Sequence, residues 1–550
     1  MRNASIIPAA TFILAVSCHP LAFLGQIPNS PPGQPTEVKA ADLCSLEGTV
    51  TSAKTGEPVK KALVEIYPTD KGQSYFSVTT DASGHFVFKN LAAGRYQLGA
   101  SANGYVPQRY GARSFGHRGA SLTLSSGQHK DGIDFRLTPW GVISGAVCDQ
   151  DGDPVVGGMV RAMRSVYADN GRRQWSYFGM ARTDDRGEYR LYGIPPGRYL
   201  VVASYQGGRA PAAVEEAYVP AYYPSGTDPG QASPVRVGPG EEIGEINLYF
   251  IHARGVCVRG RVTNFIPGQS LFINLIPHRD GGAEPDSHYS SAANDQGEFE
   301  IRHVPPGEYV AYAIFGADAG PQYVGRSEVS VGNVDVNGVN ISPSPGIDIR
   351  GRVRIETPPQ FDFTHLSVGL RGVDDTQGQA VAETKADGTF VVPAVFDGIY
   401  RLVVRGFPEE LYLKSARLGD TDVLGKILEV SHTQPPGTFD LMFSPNGGRI
   451  DGTVLDEQNP VQGAVVVFVP DAAHREHDEL YSVTTTDSQG RFSLLGLPPG
   501  DFTLYAFDEL EDYAAKDPEF LRPYADRGTA VHIVEKQQLT VRLKLIAVGE

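Results

Sequence analysis

A five-residue phrase with Gly at its centre and Val at its end occurs five times in this chain. It reads LEGTV at 46–50, ISGAV at 143–147, VRGRV at 258–262, IRGRV at 349–353 and IDGTV at 450–454, with 97, 115, 91 and 101 residues between successive glycines. Each copy is followed by an Asp- or Asn-bearing turn closed by Gly and an aromatic or hydroxylated residue: TDASGHF, TDDRGEY, ANDQGEF, KADGTF and TDSQGRF. A second turn then ends in Gly and an aromatic: LAAGRY, IPPGRY, VPPGEY, VFDGIY and LPPGDF. Three landmarks in one order, five times over, define a repeat. Its period is too long for a solenoid, whose units run about 20–50 residues, and suits self-contained sandwiches of about 100 residues. Each unit must therefore bury its own core.

The landmarks also say what each unit is made of. In the fifth copy Phe492 and Leu494, then Phe502, Leu504 and Ala506, alternate with Ser493, Asp501, Thr503 and Tyr505, the period of two that sends one set inward from a strand. Asp487 suits the start of a turn, and Gly490 the position that needs positive φ. In Leu497-Pro498-Pro499-Gly500 the prolines cannot donate to a ladder, so they end one strand and the glycine lets the chain reverse. Helical patterning is nearly absent, the best candidate being the acidic stretch 508–521. The fold class is all-β: a tandem array of five Greek-key β-sandwich modules after a signal peptide. The expected division is signal peptide 1–25, Pro-rich linker 26–42, and modules 43–138, 139–254, 255–345, 346–446 and 447–550. Joints such as LTPWG at 137–141 and SPSPG at 342–346 are short, so successive modules are expected to bend little and to unfold nearly independently.

The N-terminus carries Arg2, an apolar run from Ile6 to Val16 and small residues at Ala15 and Ser17. That is the pattern of a secretory signal, too short to span a bilayer. Cys18 follows Ala-Val-Ser and is a candidate for lipid attachment, which would tether the chain; simple cleavage is the alternative. An extracytoplasmic location follows: periplasm, outer-membrane lipoprotein or secreted. A formal charge of −16 without a basic stripe repels phosphate backbones, so nucleic acid is not an expected partner. With 63 Gly and 40 Pro among 550 residues, the chain is turn-rich yet short of the roughly 25–30% that marks low-complexity sequence. Cys44, Cys148 and Cys257 fall in three different modules, which is neither a disulfide framework nor a metal knuckle.

With these motifs the chain resembles the carboxypeptidase regulatory-like domain, a transthyretin-like sandwich whose landmarks are the GxV strand, the TDxxGxF turn and the PPGxY turn. The resemblance covers about residues 43–547 in five copies and extends to secreted bacterial proteins that repeat this domain. The fourth copy departs from it, with VFDGIY in place of PPGxY. The resemblance implies a fold with structural and sugar-binding relatives, and does not itself imply catalysis.

A peptidase reading would need a metal site. Zinc carboxypeptidases pair an HxxE with a distant His on a large α/β domain; here the one HxxE, His532 to Glu535, lies in an alternating strand near the end of the sequence. The cluster HREHDE, with His474, Glu476, His477, Asp478 and Glu479, reads as a solvated loop with little to recommend it as a metal site. The TDxxG turns offer one or two carboxylates each, too few for calcium, with Asp184 and Asp185 the least unfavourable pair. No metal, cofactor or catalytic residue is expected, and the chain is not expected to be an enzyme. Nor can modules two and three lock themselves with an internal Lys–Asn bond of the kind found in pilin-like adhesins, because no Lys occurs between Lys130 and Lys385.

Surface recognition remains. Sugar-binding sandwiches stack pyranose rings on exposed aromatic faces beside amide, carboxylate and Arg groups. The densest aromatic groups outside the landmarks are GRRQWSYFGM at 171–180 and EEAYVPAYYPSG at 215–226, which makes Trp175, Tyr177, Tyr222 and Tyr223 the candidate ligand platform. Packing at an edge strand or a joint is the competing role. The expected function is a non-catalytic recognition or spacer array of the cell envelope, with a glycan or an envelope protein as partner. The alternative is an accessory subunit of a separate secreted peptidase or envelope transporter.

Overall fold

The computed structural model describes residues 43–548 apart from 69–74, 113–114, 206–215, 228, 266–268, 278–288, 317–321, 357–362, 374–377 and 435. The expected signal segment, Cys18 and the expected linker lie outside the described residues.

The first repeat shows the plan. Strand β1 (Cys44–Ser52) pairs antiparallel with β4 (His85–Leu91) and parallel with β8 (His129–Lys130) and β9 (Phe135–Leu137). The facing sheet runs β3 (Phe76–Thr79), β2 (Leu63–Pro68), β5 (Gly94–Ser101), with β6 (Gln108–Arg109) and β7 (Leu122–Leu124) on the far side of β5. Leu46, Val50, Val64, Ile66, Phe86, Leu98 and Phe135 close the space between. The other four repeats do the same. Their opening strands, Gly141–Cys148, Val256–Val262, Ile347–Ile355 and Gly448–Asp456, each take an antiparallel partner on one side and a parallel one on the other. Each has its own buried cluster. The protein is an all-β tandem array of five β-sandwiches.

The repeated landmarks have local causes. The glycine at the centre of the opening strand is required by space: a Cβ on Gly48, Gly145 or Gly260 would stand 1.8, 2.1 and 2.1 Å from the carbonyl oxygens of Ile133, Ile246 and Val339. In modules one and two the parallel partner is broken at this point and the intervening loop presses a carbonyl onto the strand. In modules four and five the parallel strand is continuous, and the glycine instead makes room for the rings of Phe390 and Phe492. The turn glycines Gly84, Gly187, Gly297, Gly388 and Gly490 all have φ between 70° and 79°, which a side chain disfavours.

The aspartate or asparagine opening that turn is its internal acceptor. Oδ1 of Asp81, Asp184, Asn294 and Asp487 takes the N–H groups two and four residues on, an Asx turn. In module four Lys385 holds that position and Asp387 accepts from Thr389 instead. The threonine just before it is a second device. Thr80, Thr183 and Thr486 are buried, and each hydroxyl donates to a carbonyl (Val59, Val155, Val461) and accepts an N–H (Ala62, Gly158, Ala464). Finally, the tyrosine that ends the PPGxY phrase is anchored through its hydroxyl. Tyr96, Tyr199, Tyr309 and Tyr400 each donate to the carbonyl four residues back, and burial pushes the Tyr199 phenol up to about 12. The divergent VFDGIY phrase of module four thus makes the same bond as modules one to three.

The modules are not loosely strung, which corrects the expectation of independence drawn from the short joints. Module five contacts modules one, two and four. Thr485 Oγ1 donates to the Gly119 carbonyl at 3.0 Å, and Arg118 pairs with Asp512 at 3.0 Å. Tyr167 of module two enters the apolar cluster formed by Val465, Val467, Phe507 and Leu521. Lys414 and Tyr412 of module four reach Glu535. The run Val465–Pro470 is apolar at every position because both its faces are covered, one by its own core and one by the acidic stretch at 508–527. That stretch forms short helical turns, with a four-residue α-helix at Pro518–Leu521.

Candidate functional site

A wide concavity lies where modules one, four and five meet. Its floor is the outer face of β2, β5 and β6, where Glu65, Tyr67, Arg95, Gln97 and Arg109 point away from the core that Ile66, Tyr96 and Leu98 face. The register sets Glu65 opposite Gly99 and Tyr67 opposite Gln97. The walls come from residues 115–121 of module one, 406–410 of module four, and 483–485 with Leu495 and Asp512 of module five. The cleft encloses about 1320 Å³, room for several sugar rings or an extended polar chain.

At its margin stands a pair of stacked tyrosines. Tyr67 and Tyr75 lie with ring centroids 5.8 Å apart and planes 23° from parallel, and remain 42% and 61% exposed. The β2–β3 hairpin creates the pair: its last registered partners are Ile66 and Phe76, so the tyrosines follow one step further on. Burial, a bond with Glu65 and the charge of Glu65 push the Tyr67 phenol up to about 12, so the ring is neutral and a hydrogen-bond donor at any physiological pH. Aromatic faces beside a carboxylate, an amide and guanidinium groups are suited to hold a polyol, with stacking on its C–H face and polar groups for its hydroxyls.

The residues singled out in module two are placed differently. Tyr222 is 1% exposed and sits in a small core with Met163 and Val202; the rings of Trp175 and Tyr177, both half-buried, pack against it. Pairing of Tyr222 with Val202 on the neighbouring strand puts it beneath the sheet's outer cover. Tyr223 turns the other way and packs, part-buried, on the main core of the module. Three of the four are therefore brought together, but as packing: Tyr222 has no face for a ligand, which corrects its assignment to a platform. Trp175→Ala is expected to cost about 2–3 kcal/mol of stability by leaving a void over Met163 and Val202, read as a lowered midpoint in urea.

The other candidate groups do not converge. His532 pairs with Asp501 at 2.7 Å, while Glu535 turns to Lys414. In the HREHDE loop, His474 pairs with Asp471, Glu476 with Arg401 and Asp478 with Arg371 and Lys516. This loop ties modules together through Asp478 and Glu476, while the side chains of His474 and Glu476 remain exposed. Among the described residues no group of three or more His, Cys, Asp or Glu could hold a metal ion. Asp184 is consumed by its own turn, and the Cys44 thiol donates to the Ser125 carbonyl. No described helix is long and apolar enough to cross a membrane.

Sequence reasoning missed Tyr67 and Tyr75 because it sought dense aromatic clusters. Seven residues separate these two, and only the hairpin joins them; the phrase YPTDKGQSY at 67–75, two aromatics bracketing a polar run, carried the signal.

Fold and cleft together define a class: a repeat array of β-sandwiches with a polar cleft and no assembled catalytic group among the described residues. The family model of the carboxypeptidase regulatory-like domain matches residues 45–138, the span of the first sandwich of the array. No curated protein matches the chain. Among solved structures the chain is similar to GBS52, the minor pilin of Streptococcus agalactiae, at 17% identity over 38% of this chain and 96% of that one, with a TM-score of 0.23. It is also similar to the TIE protein of Bacillus anthracis, at 12% identity over 74% of each chain and a TM-score of 0.14. BcpA, the major pilin subunit of Bacillus cereus, matches at 10% identity over 55% of this chain and 99% of that one, with a TM-score of 0.14.

Proposed function

We propose that this chain is a non-catalytic, extracytoplasmic recognition protein that binds carbohydrate in the cleft of module one. The observation that carries the reading is the exposed, stacked pair Tyr67 and Tyr75 at the edge of a wide cleft whose floor presents Glu65, Gln97 and Arg109. Large exposed rings cost solvation, and their place beside convergent polar groups suits the two-faced chemistry of a pyranose. The acidic net charge disfavours a strongly anionic polymer, so the expected ligand is a neutral glycan. The secretory pattern of the first residues supports its encounter outside the cytoplasm.

A glycan array probed with the mature protein tests this directly. Exchanging both tyrosines for alanine is expected to weaken binding about 30-fold, since two stacking surfaces each contribute on the order of 1 kcal/mol. The melting temperature should barely move, because both rings are exposed. Equal binding by wild type and double variant would reject the cleft; loss of fold along with binding would make the rings structural.

A further inference from the structure

Modules two, four and five meet at a node of five charged residues. Asp169, on the turn after Tyr167, accepts from Arg371 at 2.6 Å and from Arg405 at 2.7 Å. Arg371 also pairs with Asp478 at 2.5 Å, and Lys516 with Asp478 at 3.0 Å and with the Asp169 carbonyl at 2.7 Å. The Arg371 and Lys516 side chains are only 16% and 15% exposed. Beside them, Arg401 grips both the carboxylate and the carbonyl of Glu476.

None of these residues lines the cleft, yet three of them border a part of its wall in the chain. Arg405 immediately precedes wall residues 406–410, Asp478 lies five residues before Val483, and Lys516 four residues after Asp512. Arg371 and Arg401 are cross-strand partners in the sheet whose strand Gly398–Arg405 leads into that wall. The node thus fixes the start of both walls that modules four and five contribute, while module one alone supplies the floor.

We propose that the cleft is a composite site: docking of modules four and five, held by the Asp169–Arg371–Asp478 node, assembles the wall against which a glycan on the module-one floor is clamped. This rests on the carbohydrate reading above. Ligand and docking are then linked reciprocally, so that a bound oligosaccharide stabilises the docked array and loss of docking weakens binding by the lost docked fraction. The recognised form is an oligosaccharide of several units that touches floor and wall at once; a monosaccharide resting on Tyr67 would be indifferent to the node.

The test uses the full mature chain and a neutral oligosaccharide scored positive on the array. Arg371→Asp places a third carboxylate between Asp169 and Asp478. It is expected to raise the radius of gyration in small-angle scattering and to weaken oligosaccharide binding at least about tenfold, with saturating oligosaccharide restoring the compact form. Glu476→Arg, at a 79% exposed side chain facing Arg401, carries no comparable risk to folding and should act in the same direction, more weakly. An opened array that binds undiminished overturns the composite site and leaves the module-one reading intact. A variant pair that stays compact with unaltered affinity overturns the node as the device that holds the wall. Absence of any binding by the wild type, with Tyr67 and Tyr75 intact, overturns the carbohydrate reading and this inference with it.

Discussion

Valine at Gly48 is expected to be the most damaging single substitution in the first module, costing about 4 kcal/mol or more and unfolding that module first in a denaturant series. The reason is backbone against backbone. A Cβ on Gly48 would stand 1.8 Å from the Ile133 carbonyl oxygen, 2.5 Å from its carbon and 2.9 Å from its Cα. No rotamer relieves this, so β1 and the loop between β8 and β9 must separate, breaking their parallel pairing and the Ile133 N–H to Glu47 bond. The equivalent change at Gly452 is a useful contrast. There the Cβ would meet the ring end of Phe492 at 2.4 Å and Val541 Cγ2 at 2.9 Å, and side chains yield more readily than a strand. Gly452→Val is therefore expected to cost roughly half as much. Hydrogen exchange over residues 44–137 and 448–544 would rank the two, and equal losses would contradict the distinction between a pressed carbonyl and a packed ring.

Thr486→Val is expected to cost about 3 kcal/mol despite the near-identical shape of the two side chains, because both halves of a buried bridge are orphaned at once. Thr486 is 0% exposed; its hydroxyl donates to the Val461 carbonyl at 2.6 Å and accepts from the Ala464 N–H at 2.9 Å. Valine fills the space and satisfies neither group. Serine, which keeps the hydroxyl and loses only a methyl, should recover most of the loss. A valine variant as stable as the serine one would show that water replaces the bridge. Because module five docks on modules one, two and four, the valine variant should also release protection at Arg118 and in the loop around Asp169, which separate beads on a string would not do.

The fold itself was legible in the sequence. Strand periodicity, turn glycines and the prolines of the PPG phrase act over a few residues, so the five sandwiches, their all-β class and the repeat of their landmarks follow from local rules. Even the threonine before the turn and the tyrosine after PPG were visible as recurring letters, although their hydrogen bonds were not. What the letters could not carry was anything that joins residues far apart. Tyr67 and Tyr75 become a platform only because a hairpin stacks them; Tyr222 is consumed by a small core that forms when its strand pairs with Val202. The HREHDE loop, which looks like a solvated run of charge, is tied by ion pairs to arginines from another module. Short joints between modules suggested a string of beads, whereas the docking of module five depends on surfaces hundreds of residues apart, such as Gly119 with Thr485 and Asp169 with Lys516. Local patterns determine which strands form and which way they face, since those choices are settled by backbone geometry and the burial of one face. Which exposed face meets which other face is decided by shape and charge brought together only in the folded chain, and the cleft exists at that level alone.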